Sequence, residues 1–116
     1  MTGPRPGKPV RGSRSGRPIM AALDLLGRRW ALRVLWELRD GNALSFRELR
    51  ERCDSMSTSV LNQRLAELRD AGVVEAGEGG YRLTRSGRDL KDAIAPLDTW
   101  AKRWAARRQR NGPVRR

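Results

Sequence analysis

With 116 residues the chain is long enough for one domain with tails. A single cysteine excludes an internal disulfide, the absence of histidine removes the usual neutral-pH base and metal ligand, and no apolar run reaches the roughly 18 residues a membrane span needs. The net charge of +12 sits at the two ends: residues 1–17 (Arg5, Lys8, Arg11, Arg14, Arg17) and 102–116 (Lys102, Arg103, Arg107, Arg108, Arg110, Arg115, Arg116) hold basic residues and no acid, and the stretch between is formally neutral.

Residues 1–17 alternate Pro4, Pro6 and Pro9 with four glycines and have Val10 as their one branched apolar residue, so they are expected as a basic flexible arm. Pro18 suits a first helical turn, and Ile19 to Leu26 supply a short helix ended by Gly27. A second helix is predicted from about Arg28 to Asp40, stopped by Gly41. Its stripe is Trp30, Ala31, Val34, Leu35 and Leu38, with Leu32 and Trp36 on the opposite side.

Ala43-Leu44 reads as a short strand. Ser45 with Glu48 three residues on has the spacing of a capping box, and the helix it opens buries Phe46, Leu49 and Cys53. Cys53 completes that stripe, so it is expected to be buried and inert. Ser57 is placed to cap the next helix, which runs to Ala71-Gly72. At about 100° per residue Leu61, Leu65 and Leu68 share one side, while Ser59, Asn62, Gln63 and Ala66 point away. Arg64 lies at the edge of the apolar side, within reach of Glu67 or of a phosphate.

Val73–Ala76 and Tyr81–Leu83 read as strands joined through Gly77-Glu78-Gly79-Gly80. Thr84 or Ser86 caps a last helix carrying Leu90, Ile94, Leu97, Ala101 and Trp104 on one side. Pro96 should kink or break it near residues 93–95. Residues 105–116 are expected as a basic tail.

A capped helix, a tight turn, a second helix with small and amide side chains outward, then a hairpin: this order fits a device that enters the major groove. Ser59, Asn62 and Gln63 are the candidates for base edges. Ser45, Arg47, Ser57, Thr58, Arg64 and Arg82 are the candidates for phosphates. Leu32, Trp36, Trp100 and Trp104 form a surplus of apolar surface. It would line either a pocket for a flat aromatic effector or a seam between subunits. The expected partner is double-stranded DNA and the expected compartment the cytoplasm, with no membrane contact, enzymatic activity, cofactor or metal. The basic ends would add salt-dependent affinity, or, for the N-terminal one, serve only to solubilise.

The chain also resembles the HxlR-type winged helix-turn-helix regulators of bacteria over about residues 17–104. The likeness rests on Pro18, Leu23-Asp24-Leu25-Leu26-Gly27, Arg29-Trp30, Phe46-Arg47-Glu48-Leu49, Ser57, Val60-Leu61, Gln63-Arg64-Leu65 and Glu67-Leu68. It continues in Ala71-Gly72-Val73-Val74, Leu83-Thr84, Gly87 and Leu97 to Trp100. The resemblance implies a mostly α fold with a small β-hairpin wing, a recognition helix at 57–71, and a homodimer built by the first and last helices. It implies a transcriptional regulator, expected as a repressor on an inverted-repeat operator.

Three departures matter. Arg17 stands where many relatives have a sensor cysteine, so that thiol switch should be absent. The hairpin is short and carries Glu75 and Glu78, leaving Arg82 as its basic contact. Thr58 and Ser59 replace the proline and basic residue common in the family. The rival functions are a non-specific nucleic-acid-binding or nucleoid-associated protein driven by the basic ends, and a protein-interaction module.

Overall fold

The computed structural model describes residues 3–110 and contains six helices and one hairpin among them: α1 (Pro18–Gly27), α2 (Ala31–Glu37), α3 (Phe46–Arg52), α4 (Thr58–Asp70), β1 (Val74–Gly77), β2 (Gly80–Leu83), α5 (Arg85–Ile94) and α6 (Pro96–Arg110). The architecture is mostly α with a two-stranded antiparallel wing, as expected. No helix among the described residues is long and apolar enough to cross a membrane.

One core gathers the inward stripes of α2, α3 and α4 with the wing: Val34, Leu35, Leu38, Leu49, Cys53, Leu61, Leu65, Leu68, Val74 and Leu83 are all buried. The periodicity that predicts these stripes succeeds because each helix buries one face and leaves the other to water. In the wing, Val74 pairs with Leu83 and Glu75 with Arg82, closing on Glu78-Gly79. Leu44 adds a third short rung by exchanging hydrogen bonds with Tyr81, at 2.9 and 2.7 Å. That rung needs glycine at position 80, where φ is +120° and a Cβ would run into the Leu44 carbonyl.

The caps follow the sequence. Ser45 accepts from the Glu48 amide and Glu48 accepts from the Ser45 amide, completing the box. Those bonds, from the Ser45 backbone first and its side chain second, hold the Glu48 carboxyl below the usual range. Ser57 caps α4 through the Val60 amide, and Thr84 caps α5 through the Gly87 amide. The break around Pro96 falls where the missing amide places it: α5 ends at Ile94 and α6 starts at Pro96.

Three expectations need correction. The second helix begins at Ala31, not near Arg28, because Trp30 takes a left-handed φ of +76° and turns the chain sharply between α1 and α2. The N-terminal segment is no free arm over its described part. Gly3 donates to Asp70 (3.0 Å), Arg5 pairs with the same carboxylate (2.5 Å), and the Arg11 amide donates to Asp24 (3.1 Å). Acids of the folded body thus strap residues 3–17 against it. The C-terminal tail is helical through Arg110, since nothing from Leu97 onward interrupts α6; its residues 111–116 lie outside the described residues.

Candidate nucleic-acid interface

Helices α3 and α4 meet through a tight turn at residues 53–57. Asp54 and Ser55 both have positive φ there, +58° and +57°. Arginines brace it from two sides. Arg50 donates to the Met56 carbonyl (2.7 Å), and Arg33 of α2 pairs with Asp54 (3.1 Å) and donates to the Arg52 carbonyl (2.5 Å). Such bonds hold a backbone conformation that costs roughly 1 kcal/mol or more per residue when unsupported.

This turn presents one side of α4 to solvent. Thr58, Ser59, Asn62, Ala66 and Arg69 are exposed and span about a third of the helix circumference, their centre turned about 100° from that of the buried Leu61, Leu65 and Leu68. Ser59 and Asn62 therefore stand where the base-reading assignment puts them. Gln63 sits at the edge of the stripe and is half-buried. Arg69 was missed from the sequence although the same 100° rule places it within about 20° of Thr58.

Among the residues assigned to phosphates, Thr58 and Arg47 are exposed. Ser57 shares a hydroxyl–hydroxyl bond with Ser59 (3.0 Å), tying the cap to the reading face. Ser45 is half-buried, with its hydroxyl accepting from the Glu48 amide and its own proton left to donate. Arg82 is exposed but pairs with Glu75 directly across the hairpin (2.9 Å), an exposed ion pair that phosphate can displace at little cost.

Arg64 requires correction. Its Nε donates to the Arg29 carbonyl (2.7 Å) and its Nη1 to Glu67 Oε1 (2.8 Å), and its side chain is only 14% exposed. The guanidinium points into the protein, where the alternatives left by its edge position resolve toward Glu67. Glu67 is itself buried, 1% exposed, and its second oxygen accepts from Arg28 Nη1 at 2.6 Å. Arg28 in turn holds Asp24 at 3.4 Å. Burial opposes the charge on Arg28, yet the hydrogen bonds to Asp24 and Glu67 outweigh it and raise its pKa. Two acids and two bases thus balance beneath α4.

The four residues proposed for a pocket or seam do not converge. Leu32 and Trp36 line a cavity of about 220 Å³ with Arg33, Leu35, Lys91, Ile94 and Leu97. Trp100 and Trp104 do not line it; their rings stack on each other at 5.3 Å along α6. Helix α6 buries no residue, and Leu97, Trp100 and Trp104, with Ile19 and Leu23 of α1, leave large apolar side chains about half exposed.

Cys53 is fully buried, as expected, and burial foremost pushes its thiol pKa up. A raised value means the native state disfavours thiolate, so this contribution to stability is complete below the unfolded thiol's pKa and is lost as pH rises through the folded one. A thiol reagent added at neutral pH should leave Cys53 unmodified by mass spectrometry until denaturant is present. Full labelling of folded protein within minutes would contradict this burial.

Comparison with known proteins agrees with this geometry. The family model described as HxlR-like helix-turn-helix matches residues 25–109. The chain is 30% identical over 90 residues to the HTH-type transcriptional regulator YvaP of Bacillus subtilis, covering 72% of this chain and 82% of that one. Among solved structures, quinone-bound YodB from B. subtilis superposes with a TM-score of 0.66 at 32% identity, over 73% of this chain and 96% of that one. A possible HxlR family transcriptional factor from Thermoplasma volcanium gives a TM-score of 0.68 at 26% identity, over 77% and 85% of the two chains.

Proposed function

Because the chain belongs to the HxlR-like helix-turn-helix family of transcriptional regulators, we propose that it is a sequence-specific repressor that binds an inverted-repeat operator as a homodimer in the cytoplasm. The observation that carries this reading is the stripe on α4. Its hydroxyls and amide are exposed on a helix whose other sides are buried or locked by ion pairs. Asn62 can make a bidentate contact to adenine, with Ser59 beside it and Gln63 reaching from the edge of the stripe. Ser45, Arg47, Ser57, Thr58 and Arg82 would set register on phosphates, joined by Arg69.

The dimer rests on α1 and α6. Helix α6 runs fifteen residues with none buried, and its stacked tryptophans, with Ile19 and Leu23, form apolar surface of a kind that marks an interface. Two α4 helices would then enter successive major grooves about 34–36 Å apart. A flat aromatic effector would enter the cavity at Leu32 and Trp36, whose apolar lining suits a ring. YodB has been solved with quinone bound, which makes a ligand of that class the natural first probe. The basic ends would add affinity for any duplex. Arg5 would have to exchange Asp70 for phosphate to take part.

Selection from a random duplex pool at about 150 mM salt tests the proposal, because at that ionic strength non-specific binding has weakened to the 10⁻⁴–10⁻⁶ M range. Enrichment of an inverted repeat is the expected result. Uniform recovery of all sequences would overturn it in favour of a non-specific binder.

A further inference from the structure

The ion cluster beneath α4 joins the two ends of this proposed machine. Asp24 lies on α1, Arg28 caps the C-terminus of α1, and Glu67 and Arg64 lie on α4. Both oxygens of Glu67 are used, one by Arg28 at 2.6 Å and one by Arg64 at 2.8 Å. Arg28 spreads its planar fork between carboxylates from two helices, and Arg64 adds a bond to the carbonyl of Arg29, the residue before the left-handed Trp30. The side chains of all four are nearly or largely buried: Asp24 4%, Glu67 1%, Arg28 11% and Arg64 14% exposed. Helix α1 packs on α2 and α2 on α4, so this network ties α1 directly to the reading helix where packing does so mostly through an intermediary.

Apolar contact is non-directional, and Leu61, Leu65 and Leu68 alone would tolerate a range of α4 rotations. Charged bonds between planar groups tolerate few. We infer that the Asp24–Arg28–Glu67–Arg64 cluster fixes the angle of α4 against α1, and thereby the half-site spacing the dimer accepts. Arg28 and Glu67 are positioning residues for DNA recognition that touch no DNA themselves. The inference rests on the homodimer proposed above, because α1 carries part of its apolar face and any rotation at this joint is doubled across the two-fold axis.

Arg28→Lys tests it, since lysine keeps the charge but offers a point ammonium in place of the fork; Glu67→Gln, which keeps the shape and one acceptor, is the second variant. Each is measured as the full chain, after circular dichroism and sedimentation have matched it to wild type. The probes are duplexes carrying the selected half-site twice, with the spacing stepped one base pair at a time, and a duplex carrying it once. Wild type should prefer one spacing by tenfold or more. In either variant that preference should fall below threefold, while affinity for the single half-site stays within twofold. A variant that keeps the wild-type preference, or loses single-site affinity in step with it, would overturn the inference. If neither variant folds, the cluster serves stability and the inference falls as well. A wild-type protein with no sequence preference would refute the DNA-reading function itself, a result separate from these.

Discussion

Glu67→Leu is expected to lower the unfolding free energy by roughly 3–5 kcal/mol, because it leaves two arginines buried beside each other with one carboxylate fewer to balance them. The size follows from burial. Glu67 is 1% exposed, and its partners Arg28 and Arg64 are 11% and 14% exposed, so water screens the uncompensated charge poorly. A domain of this length has a total stability of about 5–15 kcal/mol, so the loss would be a large fraction of it. Leucine fills similar volume, and the apolar contacts of Leu61, Leu65 and Leu68 would survive; the deficit is electrostatic. Replacing Arg28 and Arg64 by methionine and Asp24 by leucine in the same chain should therefore recover much of the loss, since Asp24 is itself only 4% exposed and a buried network exchanged whole for apolar side chains is often neutral or better. Urea unfolding followed by circular dichroism checks both statements. A loss below about 1 kcal/mol for the single variant would mean that water enters the cluster freely.

The second large effect concerns recognition. Asn62→Ala should weaken binding to the selected duplex by about 1–3 kcal/mol, or roughly 5- to 150-fold, and leave random duplex unchanged. Asn62 is exposed in the middle of α4, so alanine removes no packing and slightly favours the helix, by about 0.5 kcal/mol. Any affinity loss is thus separable from unfolding. Arg69→Ala supplies the contrast. As a phosphate contact, its removal should reduce affinity for both duplexes alike and flatten the salt slope by about one. Anisotropy titrations on the two duplexes distinguish the cases. Equal losses for Asn62→Ala on both would remove it from the base-reading set.

The α4 stripe is legible in the sequence alone, because helical geometry converts residue numbers into faces. Ser59 and Asn62 are turned outward by counting, whereas Arg69, about 40° from the buried Leu65 by the same count, is exposed in the folded chain. Gln63 is turned outward by the same count, about 165° from the centre of the leucine face, and is half-buried all the same, which helical geometry alone does not report. Glu67 was harder. A glutamate near the end of an exposed-looking helix reads as surface, and what draws it inside is Arg28, 39 residues away. Arg64 belongs to the same difficulty: its choice between Glu67 and phosphate depended on a carbonyl at Arg29, 35 residues back.

The N-terminal segment shows the limit from the other side. Its proline and glycine content rightly excludes a core, yet Asp70 and Asp24 give its amides and Arg5 places to bind. Composition reports what a segment cannot build alone, and does not report what a neighbouring surface offers it.

Capping boxes, proline breaks, the paired wing strands and the inward stripes depend on residues within a few positions of one another, and so the linear chain by itself determined the elements, their order and the winged helix-turn-helix architecture. The left-handed turn at Trp30, the inward rotation of Glu67 and Arg64, the docking of residues 3–17 and the separation of Leu32 and Trp36 from the stacked tryptophans were decided only by tertiary structure. Each of these depends on charges or apolar surfaces brought together from distant parts of the chain, and the free energy of those meetings appears only once the chain has folded.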